Sequence, residues 1–250
     1  MARHFRCTAC GKCCVGWLPL TLKDALANIG RFPLAVVWTP IRQGTKDFGM
    51  TEQLGFSFRT AERKNGALRI IPTAYIPPKM ACPALTPDNL CAIHAEKPLR
   101  CRTMPFFPYR DEENQTDLLI PRPGWECDTS LTAPSVYKDK SIIDRSDFDM
   151  ERVELQSQVP ILRSYAQRLL DMTPSLAGSL TKALSKQGGG HVAVSFASLL
   201  RQLQGVDRAA LATAQLKRLG QSIDEMKNQS KWSDYKKNYE DWAWEMERLT

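Results

Sequence analysis

Eight cysteines lie between Cys7 and Cys127, and the rest of the chain has none. The first four form the run Cys7-x2-Cys10-x2-Cys13-Cys14. Two residues between cysteines let the chain turn so that both thiolates reach one metal. Gly11 inside the run provides the positive φ that tight chain around a metal often needs. Cys13 and Cys14 are adjacent, and in extended chain neighbours point to opposite sides. They share one ion only through a turned backbone. Otherwise one joins the first site, and the other faces a second site or packs as an ordinary buried cysteine.

The second group is Cys82, Cys91, Cys101 and Cys127, separated by 8, 9 and 25 residues. These gaps match no common metal knuckle. Their surroundings carry more information: Cys82-Pro83-Ala84-Leu85, then Cys91-Ala92-Ile93-His94, then Lys97-Pro98-Leu99-Arg100-Cys101-Arg102-Thr103-Met104-Pro105. All eight candidate ligands are sulfur, so His4, His94 and His191 are not needed to reach four ligands. An all-thiolate set suits a [4Fe–4S] cluster or a four-cysteine zinc site. Three cysteines at two-residue spacing also begin an iron–sulfur run whose fourth ligand comes from elsewhere, which favours iron–sulfur over zinc. Eight thiolates are enough for two centres of four, but sequence does not assign the partition. Arg102 is the candidate to neutralise thiolate charge or hold an anionic ligand. Arg100 reads as a surface arginine, and His94 as a ligand, a residue supporting one, or a loop histidine.

Together these pieces resemble the YkgJ-type cysteine-cluster family, whose signature is CxxCxxCC, then CP-x-L, then C-x-I-[YH]-x-x-[RK]-P-x-x-CR-x-[FM]-P. The chain shows each piece in order across residues 5–127, with Lys97 and Met104 at the two variable positions. The resemblance implies a small domain that chelates zinc or iron, with an iron–sulfur cluster or zinc as cofactor. It also points distantly to flagellin lysine N-methylase, an iron–sulfur protein that modifies lysine. No glycine-rich fingerprint for S-adenosylmethionine stands here; Gly188–Gly190 has no strand before it.

Composition narrows the classes. Hydrophobic residues make up 43% and charged residues 24%, which suits a folded globular chain. The formal charge of +7 is spread over both halves, with no basic stripe carrying aromatics, so there is no specific nucleic-acid signal. No apolar run is long enough for a membrane span. The opening MARHFRCTACGKCC has no apolar leader, so the expected compartment is the reducing cytoplasm, where clustered cysteines serve metals rather than disulfides. No G-x-S-x-G, H-E-x-x-H or P-loop is present.

The expected fold is α+β: an irregular cysteine-rich metal-binding domain with short strands over residues 1–145, then an all-helical region over 146–250. Thr21–Ile29 reads as a helix capped by Thr21, with Asp24 three residues on and Gly30 as its stop. Phe56–Phe58, Leu68–Ile71 and Leu118–Ile120 read as strands, with Gly66 in a turn. The prolines of Ile71–Pro108 exclude regular helix there. Asp147–Gln158 reads as one helix, with Pro160 opening another. Thr173-Pro174 opens the next, which the triple glycine ends. Val192–Leu203 follows as a helix, and Asp207 caps another. Trp232, Tyr235, Tyr239, Trp242, Met246 and Leu249 make one apolar stripe. It either packs on the domain or docks a protein partner or protein substrate.

Three functions fit. The favoured one is an iron–sulfur or zinc protein with a structural, redox or modification-associated centre. The others are a lysine-methylase type of enzyme and a metal-handling or partner-docking module.

Overall fold

The computed structural model describes residues 2–59 and 65–250. The chain begins with β1 (Arg3–His4), β2 (Leu18–Pro19), α1 (Leu22–Ala27), β3 (Leu34–Arg42), α2 (Phe48–Leu54), β4 (Phe56–Arg59) and β5 (Asn65–Ala74). A long irregular stretch follows, broken by the short α3 (Leu99–Thr103). Then come β6 (Ser135–Lys138), β7 (Ser141–Ile142), α4 (Ser146–Met172), α5 (Pro174–Ser185), β8 (Val192–Ser195), α6 (Phe196–Leu200), α7 (Arg208–Glu225) and α8 (Ser233–Glu247). The fold is α+β, with short strands early and mostly helices late.

The central sheet has the order β2-β5-β3-β8, with β4 on the free edge of β5, and every pairing is antiparallel. The β3–β5 register runs from Leu34↔Ala74 to Arg42↔Gly66. Leu34, Ala35, Val36, Val37 and Trp38 are all buried. With both faces covered, this strand carries no apolar–polar alternation, so its period does not announce it in the sequence. Pro72 sits inside β5 without an N–H. Its carbonyl accepts from Leu20 N at 2.8 Å, and its missing donor faces the edge where β2 ends. Gly66 lies within β5 rather than in a turn. A Cβ there would stand 2.6 Å from the Phe58 ring, so glycine is required by close packing.

A smaller sheet of order β1-β6-β7 ties the N-terminus to residues 135–142. Helices lock the larger one. The Trp38 and Tyr165 rings meet edge-on at 5.7 Å. Gln215 on α7 accepts from Leu34 N at 3.1 Å and donates to Phe32 O at 3.1 Å, fixing the start of β3. The α8 stripe packs inward: Tyr239, Trp242 and Met246 are buried, and Tyr239 OH donates to the Tyr75 carbonyl. Burying each large apolar side chain contributes roughly 1.5–3 kcal/mol.

Several local expectations change. The first helix is capped by Thr21, which accepts from Asp24 N at 3.0 Å, but it stops at Ala27, where the Asn28 side chain donates to the Asp24 carbonyl. Leu118–Ile120 is not a strand: Thr116–Leu119 is a 3-10 turn following the Gln115 cap. Pro160 does not open a helix; α4 runs straight through it. Leu155, Gln158, Leu162 and Tyr165 form one buried face across that point while Pro160 is exposed, so the missing hydrogen bond lies on the water side. Val192–Ser195 is a strand, because Ala35–Trp38 offers a free ladder edge. The otherwise helical C-terminal part therefore contributes β8 to the central sheet. Asp207 caps α7 as expected, accepting from Ala210 N at 3.0 Å.

Candidate metal centre

Two isolated antiparallel bridges decide where the first cysteines go. Arg6 pairs with Asp128, with Arg6 N donating to Asp128 O at 2.8 Å and Asp128 N to Arg6 O at 3.0 Å. In an antiparallel pair the next residues stand opposite, so this register sets Cys7 against Cys127. Thr8 Oγ1 donates to Glu126 O at 3.0 Å, which carries the same register one step further. Val15 pairs with Ala81, and this sets Cys14 against Cys82. Cys82 N donates to Cys14 O at 2.8 Å, and Gly16 N to Met80 O at 3.0 Å.

Local turns bring in the others. Cys14 N donates to Gly11 O at 3.0 Å, closing a turn over the middle of the run. Gly11 has φ +71°, and a Cβ there would meet the Asn89 side chain at 2.8 Å. Both facts require glycine, and the second packs the run onto the Cys82–Cys91 loop. That loop doubles back: Leu85 N donates to Cys82 O at 2.9 Å, and Leu85 bridges Cys91. Cys101 comes from α3, where its N–H donates to Pro98 O at 2.9 Å.

The frame behind these loops is polar but closed. Arg100 is buried, not a surface residue. Its Nη1 lies 3.5 Å from Glu151 Oε2 on α4, its Nη2 donates to the Phe106 carbonyl, and its guanidinium stacks on Phe107. On the other side, Trp17 Nε1 donates to Tyr235 OH at 2.8 Å, and Trp232 Nε1 to Pro78 O at 3.3 Å. Residues 230–242 thus clamp both strands of the Val15–Ala81 bridge.

All eight thiols are free, with Cys7 and Cys13 exposed and the other six partly covered. They sense one another's charge. The neighbouring Cys14 thiol holds Cys13 down at about 6 against burial, with the Cys13 backbone and Lys97 assisting. The adjacent Cys13, burial, and repulsion from Cys13, Cys82 and Cys101 push Cys14 up. Burial raises Cys82, and Cys91 and Cys13 add to it while Arg31 opposes. Burial pushes Cys101 up to about 12, with Cys82, Cys91 and Cys13 adding and Arg100 opposing. Cys127 is raised by burial and then by Cys10, Cys7 and Cys13.

Among the described residues, no three cysteine, histidine, aspartate or glutamate side chains are already arranged to hold one metal ion. Of the other sequence candidates, His4 Nδ1 meets the Ala133 carbonyl at 2.7 Å in the small sheet. His94 is exposed on a 3-10 turn, and His191 is exposed with its ring edge-on to Trp17. Arg102 pairs with Asp147. The cations that act on the thiols are Lys97, Arg31 and Arg100. Arg31, remote in sequence, carried no signal. Arg100 carried one only in its place before a cysteine.

Residues 6–122 match the sequence model of the CxxCxxCC family, described as a putative zinc- or iron-chelating domain. Over these residues the chain is similar to that family. The match takes in seven of the eight cysteines, and Cys127 lies just beyond it. No curated protein and no solved structure matches the chain. Among the described residues, no helix is long and apolar enough to cross a membrane.

Proposed function

We propose that this chain is a metal-binding protein that holds an iron–sulfur centre through its cysteine thiolates, with zinc as the alternative occupant. The observation that carries this reading is the pair of backbone bridges setting Cys7 opposite Cys127 and Cys14 opposite Cys82. Each joins cysteines from distant parts of the chain, and no disulfide closes either pair.

The donor set fits the group. Thiolate sulfur suits iron–sulfur clusters and zinc alike, and the two-residue spacing of Cys7, Cys10 and Cys13 favours the cluster. Bound iron–sulfur would supply one-electron exchange or a structural cross-link; zinc would supply the cross-link alone. The chain's own residues supply charge and position. Arg100, Arg31 and Lys97 offset the negative charge of the thiolates. Gly11 lets the first run lie against the second loop. Closing on a metal requires the raised thiols to lose their protons and the side chains to turn inward.

Anaerobic purification of the full chain tests this. A brown protein with bound iron and acid-labile sulfide supports the cluster. A colourless protein with stoichiometric zinc rejects the cluster and supports the alternative. A preparation with neither metal overturns the reading.

A further inference from the structure

We propose a second site, separate from the thiols: an anion-binding cleft between α1 and α7, in which Arg31 and Arg218 hold the phosphate or carboxylate of a small organic molecule. This goes beyond the metal-binding reading and does not depend on it.

The cleft measures about 390 Å3 and is lined by Ala27, Gly30, Arg31, Pro83 and Arg218. That volume falls within the range of small-molecule sites, roughly 300–1,000 Å3. Ala27, Gly30 and Pro83 bring no polar side-chain atom to the wall. The polar side chains there are therefore two guanidiniums, from positions far apart in the sequence.

Both guanidiniums are fixed by their surroundings. Gln215 stands on α7 one turn before Arg218. It grips the chain just after Arg31, donating to Phe32 O and accepting from Leu34 N, both at 3.1 Å. Gly30 lies against the same helix, where a Cβ would come within 3.8 Å of Ala214. Arg31 N donates to Asn28 O at 2.9 Å, and Arg31 Nη1 donates to the Asn28 side chain. Ser222 Oγ accepts from Arg218 Nε at 3.1 Å and from its Nη2 at 2.9 Å, while Gln221 Oε1 accepts from its Nη1 at 3.3 Å. A ligand therefore meets side chains already ordered, which lowers the cost of binding.

The charges favour an anion. Arg218 is 8% exposed. Its carboxylate partner is Glu225, at 2.7 Å, and that side chain is half exposed, so water screens the pair. The Arg31 guanidinium has Asn28 Oδ1 as its hydrogen-bond partner among the described residues, which leaves Nε and Nη2 for a ligand. Two cations thus face one cleft with a single, partly screened carboxylate beside them. Their repulsion is relieved by an anion placed between them. The planar guanidinium fork matches paired phosphate or carboxylate oxygens. Pro83 offers an apolar wall to the carbon skeleton. It directly follows Cys82, so the bound molecule lies beside the loop that carries that cysteine.

Calorimetric titration of the full chain, purified anaerobically and held in low-salt buffer, tests this with three probes: inorganic phosphate, glycerol 3-phosphate and succinate. Arg31→Gln removes the free fork, Arg31→Lys keeps its charge, and Ala27→Leu fills the cleft while keeping both charges. Arg122→Gln removes an exposed arginine outside it. Metal content is measured alongside, so that loss of metal is not read as loss of the anion site. The expected result is saturable binding of at least one probe. Arg31→Gln and Ala27→Leu should each weaken it by roughly tenfold or more, the scale of one hydrogen bond to a charged group. Arg31→Lys should fall between, and Arg122→Gln should bind as wild type does. Binding of the two phosphate probes without succinate assigns the cleft to phosphate, the reverse assigns it to carboxylate, and binding of all three shows that it takes either. Wild type that binds none of the probes overturns the proposal. So does binding that Arg31→Gln and Ala27→Leu leave unchanged, or that Arg122→Gln weakens as much as they do.

Discussion

The two cysteine neighbourhoods differ in what stands behind them. The one around Cys7 and Cys127 rests on a single bridge and a small three-stranded sheet, and Cys7 and Cys13 are exposed. The one around Cys82 and Cys101 rests on the central sheet, on α3 and α4, and on the aromatic side chains of α8. Its cysteines are all partly covered, and a buried ion pair closes its rear. The same ligand chemistry is thus held once by a light support and once by the main core. On the proposed reading, metal binding would be linked unequally to folding stability in the two places. Local opening is easiest where few buried contacts hold the loop.

The largest expected effect breaks the heavier support. Glu151→Ala leaves the Arg100 charge buried without its partner, at a cost of about 3–5 kcal/mol. Urea unfolding of the variant measures this, and a loss no larger than that of a surface pair would show that Arg100 reaches solvent. The partly covered Cys82 and Cys101 should suffer with it, gaining reactivity towards an alkylating reagent while that of the exposed Cys7 stays the same.

Gly11→Ala acts on the seam between the neighbourhoods. Its positive φ and the Asn89 contact together should cost roughly 1–3 kcal/mol. A variant also carrying Asn89→Gly, which suits the positive φ of Asn89 and removes its Cβ, should recover the part due to contact and leave the part due to backbone strain at residue 11. Full recovery would show that strain contributes nothing.

Acid sharpens the comparison further. Cys14, Cys82 and Cys101 are raised in the folded chain, so at neutral pH they carry protons that a metal must displace. Cys13, held at about 6, is already largely ionised there. Lowering the pH from 8 to 6 should therefore weaken apparent metal affinity. Competition of the full chain with a chelator across that range measures this; an affinity that does not fall with the pH would contradict it. The smallest effect belongs to Arg102→Ala. Its pair with Asp147 is half exposed, so the loss should stay below about 1 kcal/mol by thermal melting.

Part of this was legible from the residues. The eight cysteines stand out as one chemical group by type and position. The Thr21 cap and the Asp207 cap are local signals, and local hydrogen bonds realise both. The α8 stripe shows its period, and Tyr239, Trp242 and Met246 bury as that period says. What stayed hidden is non-local. β3 is a continuous apolar run that its period does not distinguish from helix. Val192–Ser195 becomes a strand because β3 presents an edge, with Trp38 opposite Val192 and Ala35 opposite Ser195, far away in sequence. Pro160 stays helical because packing on both sides of it overrides its usual role. Arg100 is buried because Glu151 lies on another helix. The neighbours of each cysteine follow from two bridges whose registers no spacing rule encodes.

The most direct test of the central claim is the metal content of anaerobically purified protein, taken together with a count of thiols that react under native conditions. The account predicts iron or zinc bound in fixed proportion to the chain, with cysteines shielded until the metal is chelated or the chain is unfolded. A metal-free chain whose eight thiols all react at once would contradict it.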